Sequence, residues 1–166
     1  MNIAFRADAS TGIGSGHVMS CLTLANKFRN AGFDVTFVSR NLNGHLGVPI
    51  VNQGFSLKLL APLSSRDIVA DNEWLSVPWE IDVEDTRLAL GRKVDWLIID
   101  HYGIDSNWHV SARSFADRTM VIDDLADRSL SCDVVLDQTL QREPEDYFSL
   151  VDDETKFLCG SSYALV

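Results

Sequence analysis

Apolar residues alternate at Ile3, Phe5 and Ala7, and then the period changes: Val18, Cys21, Leu22, Ala25 and Phe28 follow an i, i+3, i+4, i+7 spacing. The first pattern predicts a strand over Asn2–Asp8, and the second a helix starting near His17 with Asn30-Ala31-Gly32 as its stop. Phe33–Arg40 is β-branched and aromatic and predicts a second strand. Its spacing from the first requires a parallel crossover. Asn41–Pro49 is a Gly/Asn connection with room for a short helix, and Phe55–Leu60 reads as a shorter third strand. Pro62–Pro78 is the least regular stretch, holding Ser64-Ser65-Arg66-Asp67, and reads as a surface lid.

Glu80–Arg92 places Ile81, Val83, Leu88 and Leu90 among acids and stops at Gly91, a helix of imperfect period. Val94–Asp100 is a near-continuous apolar run ending in a carboxylate, the pattern of a central parallel strand covered on both faces. A helix from Asp105 or Ser106 through Ala116 and a strand over Thr119–Asp124 follow, and Cys132–Asp137 and Lys156–Cys159 are two more short apolar segments. No repeat or Pro/Gly/Ser-rich linker divides the chain. One doubly wound, parallel α/β domain, Rossmann-like, is the expected fold over residues 1–166.

Composition narrows the function classes. A chain of 166 residues, 46% hydrophobic, suits one domain with a full core. Its 24 acidic residues against 14 basic ones give a net charge of −10, which argues against a nucleic-acid surface. No apolar run reaches the ~20 residues of a membrane span, and the first residues lack a signal-peptide pattern, so a soluble cytoplasmic protein is expected. Cys21, Cys132 and Cys159 are widely spaced and read as reduced core thiols. His17, His45, His101 and His109 show no metal-ligand spacing, so no metal is expected. Trp108 reads as core.

The candidate chemistry gathers at Gly14-Ser15-Gly16-His17, between the first strand and its helix. Two glycines allow a sharp turn with uncovered N–H groups, and the helix start adds its positive dipole end. An imidazole there could accept a proton near neutral pH. On spacing alone the glycines are equally well explained as a tight turn, and His17 as a capping or partly buried histidine. The third glycine of a dinucleotide fingerprint is missing, which disfavours a nicotinamide cofactor; no cofactor is expected. Asp100-His101-Tyr102 and Asp123-Asp124 end successive strands and would converge on the same edge, although each aspartate has a capping role open to it. Arg6 and Asp8 have a structural ion pair open to them, and Arg128 beside Asp127 a solvated surface pair.

R-A-D-A-S with G-x-G-H-V-M, then C-L-T-L-A, D-H-Y-x-x-D-x-x-W, and D-D-L-A-D-R followed by C-D and L-D-Q together carry a family resemblance. The chain resembles the N-terminal half of the UDP-2,4-diacetamido-2,4,6-trideoxy-β-L-altropyranose hydrolases of pseudaminic acid biosynthesis, relatives of the cell-wall N-acetylglucosaminyltransferase of the GT-B fold. The resemblance implies metal-independent release of UDP from an activated sugar, with inversion at the anomeric carbon. It implies that His17 is catalytic and activates water. Arg6, Asp8, Tyr102 and Asp124 match positions in or near the sugar pocket, and Gly14, Ser15 and Gly16 would face the substrate.

Departures accompany the match. Ser20 stands where the family usually has Arg, and Asp127-Arg128-Ser129-Leu130 replaces D-R-P-H. The resemblance further implies that the C-terminal nucleotide-binding domain is absent from this chain. The expected partners are thus a UDP-sugar and either a separate C-terminal domain or a second copy, with weak or no turnover by the chain alone. A degenerate sugar- or partner-binding domain and a glycosyltransferase-like domain are the alternatives.

Overall fold

The computed structural model describes residues 1–62 and 74–166. Seven strands form one parallel sheet: β1 (Asn2–Ala7), β2 (Asp34–Arg40), β3 (Ser56–Leu60), β4 (Val94–Asp100), β5 (Ala116–Ile122), β6 (Val134–Asp137) and β7 (Lys156–Cys159). Their spatial order is β3-β2-β1-β4-β5-β6-β7. The helices are α1 (Gly16–Asn30), α2 (Gly47–Asn52), α3 (Trp79–Leu90) and α4 (Ser106–Ala112). This is the expected doubly wound α/β arrangement. The strand order reverses between β1 and β4, so the loops leaving these neighbours diverge and open a crevice at their carboxyl ends.

Alternation along the strands builds a core on each face. Ile3, Phe5 and Ala7 of β1 and Ile98 of β4 pack with Val18, Cys21, Leu22 and Ala25 of α1. The residues between them, Ala4, Leu97 and Ile99, meet Val83 of α3 and Trp108 and Ala112 of α4. The β4 run is therefore apolar throughout because both of its faces are covered.

Three expectations change. The helix predicted through Ala116 ends at Ala112, because Phe115 already offers its carbonyl to the Val94 N–H and Ala116 pairs with Val94 in the sheet. The following strand accordingly begins at Ala116 instead of Thr119. The short helix expected within Asn41–Pro49 starts at Gly47 and runs past that connection to Asn52. The lid expected over Pro62–Pro78 lies largely outside the described residues; at its described end, Leu75 and Val77 are buried.

Cys21 and Cys132 are buried free thiols, as expected, while Cys159 is only half-buried. Among the described residues no helix is long and apolar enough to cross a membrane.

Candidate active site

The crevice is shaped by three turns. After β1 the chain folds back at Ser10, whose carbonyl accepts the Gly14 N–H at 2.8 Å and whose hydroxyl accepts the N–H groups of Gly12 and Ile13. Gly14 adopts φ +87°, a left-handed conformation that suits glycine. This turn delivers Gly16 as the first residue of α1 and His17 as the second. Ser15 occupies the N-cap without a side-chain cap, so the first-turn amides of α1 have no side-chain acceptor there.

β4 ends at Asp100, directly across from Ala7 of β1. His17 Nδ1 lies 2.5 Å from Asp100 Oδ1, although the two residues are 83 positions apart in sequence. The carboxylate accepts, which places the imidazole proton on Nδ1. Nε2 makes no hydrogen bond among the described residues, and His17 belongs to the wall of a cleft of about 340 Å³. Burial alone would push the His17 imidazole down. The hydrogen bond and charge of Asp100, with Asp124 and Asp8 adding to them, outweigh burial and hold it above the ordinary histidine range.

Tyr102 stands edge-on to the His17 ring at 4.5 Å and donates its hydroxyl to Asp124 Oδ1 at 2.7 Å. Burial first, then Asp124, keep the Tyr102 phenol well above its usual range, so it is a neutral donor. The Asp124 carbonyl is held by the Arg142 guanidinium at 2.8 Å. His17, Tyr102, Asp124 and Gly16 thus meet in one cleft, with Gly14 and Ser15 exposed beside it.

Arg6 and Asp8 lie elsewhere. Arg6 is 0% exposed and forks to Asp8 at 2.5 Å and Asp82 at 2.6 Å. Asp8 also accepts from the Arg40 N–H and from His101 Nε2 at 2.8 Å. His101 Nδ1 in turn accepts the Gly103 N–H. Neither Arg6 nor Asp8 lines the cleft; they brace the strand ends beneath it. Arg128 is more than a solvated surface pair: besides meeting Asp127 at 3.2 Å it donates to the carbonyls of Ile104 and His101 and to Asp123, and so fastens the loop carrying Tyr102 to the loop carrying Asp124.

In the sequence Asp100 stands among the strand-end carboxylates expected at this edge, with a capping role open to it; its pairing with His17 is what the structure adds.

The chain resembles a nucleotide-sugar hydrolase. Over its whole length it is 26% identical to the UDP-2,4-diacetamido-2,4,6-trideoxy-beta-L-altropyranose hydrolase of Campylobacter jejuni. The chain spans about half of that relative, 52% of its length. No family model matches the chain.

Proposed function

We propose that this domain supplies the sugar-facing half of a hydrolase that releases UDP from an activated diacetamido-trideoxy sugar in pseudaminic acid biosynthesis. The observation that carries this reading is the His17–Asp100 contact in the wall of the cleft at the β1/β4 reversal, which leaves the other imidazole nitrogen without a hydrogen bond among the described residues. In this reading water attacks the anomeric carbon from the face opposite the UDP oxygen. His17 Nε2 takes the water proton as the new C–O bond forms, and the bond to UDP breaks with its electron pair leaving on the diphosphate. Tyr102 and Asp124 hold the sugar, and the Gly14–Gly16 turn with the start of α1 faces the developing negative charge. The name and whole-length similarity of the Campylobacter jejuni protein support the choice of substrate.

Among the described residues the cleft wall carries Asp100, Asp123 and Asp124 and no Lys or Arg. Such a wall suits neutral hydroxyl and amide groups better than a diphosphate. The reading therefore assigns the nucleotide grip to a separate C-terminal domain in a GT-B arrangement, working in the cytoplasm. Binding energy from the nucleotide would then position the sugar, and turnover by this domain alone would be weak or absent.

The same wall favours a second reading, a domain that binds the sugar without turnover. UDP release from the UDP-sugar separates the two. The expected result, with this chain and a separately made nucleotide-binding domain, is UDP formation that falls at least ~10²-fold in His17→Ala. An unchanged rate in that variant would overturn the base assignment, and sugar binding without UDP release would favour the second reading.

A further inference from the structure

We propose that Asp100 is a positioning residue for the candidate base: it holds the His17 ring in the Nδ1–H tautomer with the Nε2 lone pair directed at the cleft. The inference rests on the reading of His17 as the base, and deepens it by naming what prepares that base.

The geometry comes from the helix period. His17 and Cys21 are four residues apart and share one face of α1. They meet the two oxygens of a single carboxylate, His17 Nδ1 at 2.5 Å from Oδ1 and the Cys21 Sγ at 3.8 Å from Oδ2. Asp100 is 4% exposed and is the last residue of β4, whose backbone is paired with β1. The carboxylate is thus held by the sheet behind it and by two groups of one helix turn in front. The Cys21 thiol has no exposure and is pushed up well above its usual range by burial and by Asp100, so it stays an S–H donor.

A free imidazole has either tautomer open to it, and only one leaves Nε2 able to take a proton from water. An acceptor on Nδ1 removes the choice and also favours the imidazolium formed when Nε2 is protonated. The other groups facing the ring are Tyr102, packed edge-on, and Asp124 and Asp8, which act only through charge. None of these supplies an acceptor to Nδ1.

Imidazole ¹⁵N–¹H correlation spectra of the chain, recorded across pH, test this without any turnover. The expected wild-type result is a neutral His17 protonated on Nδ1, titrating above the ordinary histidine range. In Asp100→Asn the titration midpoint moves down and the Nδ1–H preference is lost. His101, which the structure places as the Nε2–H tautomer against Asp8, serves as an internal check that the variant is folded.

A wild-type His17 protonated on Nε2 overturns the proposal, even should Asp100→Asn fail to fold. So does an unmoved midpoint in a folded Asp100→Asn. A confirmed tautomer with no UDP release in the presence of the nucleotide-binding domain would defeat the hydrolase reading and leave the Asp100 assignment standing. Where UDP release is measured, kcat should fall roughly 10²- to 10⁴-fold in Asp100→Asn with KM little changed. The acid limb of its pH profile should move down with the midpoint.

Discussion

His109 is held neutral inside the protein. It is 0% exposed, and its Nδ1 accepts the Ser131 N–H, so its proton sits on Nε2, which has no hydrogen-bond partner among the described residues. Burial first, then the positive charge of Arg128 and Arg113 against the opposing Asp123, bring its pKa down to about 3. An unfolded histidine titrates near ~6.5. Between those values the unfolded chain binds the extra proton and the folded one does not, so stability is lost as pH falls through this window, by up to about 1.4 kcal/mol per pH unit.

His17 does not mask the effect. Its folded pKa is raised, so its contribution is fully present below the unfolded value and is lost only as pH rises through the folded one. The lowered carboxyls of Asp8, Asp82 and Asp123 lose their contribution only nearer the ordinary carboxylate range. Urea midpoints between pH 6.5 and 4.5 should therefore fall in the wild type and flatten in His109→Gln; parallel slopes would contradict the assignment. In the sequence the glycine turn sets His17 apart, but nothing marks His109 as a buried neutral histidine; the strand-end carboxylate against one ring and the backbone amide against the other separate a candidate base from a core histidine.

At the scale of elements, the strands were legible because burial on two faces leaves a continuous apolar run, as in β4, and because α1 keeps a clean helical period. α3 read as imperfect for a physical reason. Its inward face is Asp82, Val83 and Thr86, two of them polar, and the Thr86 hydroxyl donates to the Asp82 carbonyl while the Asp82 side chain meets Arg6. A buried ion pair reads in sequence as a solvated position. The end of α4 was hidden because Arg113-Ser114-Phe115 carries no glycine stop.

The glycine turn depends on a second loop that periodicity does not reveal. The Thr11 N–H donates to the Asn43 carbonyl at 3.0 Å, and a Cβ on Gly44, at φ +84°, would meet the Thr11 methyl at 2.9 Å and the Thr11 N at 3.0 Å. Gly44→Ala should cost at least ~1 kcal/mol from the left-handed backbone alone. It should also displace the amide resonances of 10–16 while sparing those of β6 and β7. Unchanged amide shifts over 10–16 would show that the two loops are not coupled.

For the molecule as a whole, the decisive feature is where its charges are buried. A net charge of −10 suggests an acidic exterior around an apolar core, yet Arg6, Asp8, Arg40 and Asp82 are all buried beneath the crevice. Asp82 Oδ2 receives Arg6 at 2.6 Å and Arg40 at 2.8 Å, and Oδ1 receives the Trp108 indole N–H at 3.0 Å. Arg40 reaches on to Asp85 at 2.9 Å. One carboxylate on α3 thereby joins β1, β2 and α4 toward the carboxyl edge of the sheet. The sequence shows these residues only as charges near strand ends, where substrate contacts and internal braces look alike; the partner on α3, 76 residues from Arg6, decides between them.

Removing that partner leaves two guanidinium groups without one of their carboxylates in a dry interior. The cost of breaking such a pair from one side is about 3–5 kcal/mol. Asp82→Asn keeps the shape and removes the charge, so its unfolding free energy from urea titration should fall by that amount, seen as a lower midpoint at an unchanged m-value, whereas a loss below ~1 kcal/mol would show that water reaches the network. Because Asp82 lies outside the cleft wall, the His17 tautomer in the folded variant should match the wild type. A changed tautomer would mean that the buried network, and not Asp100 alone, sets the geometry of the candidate base.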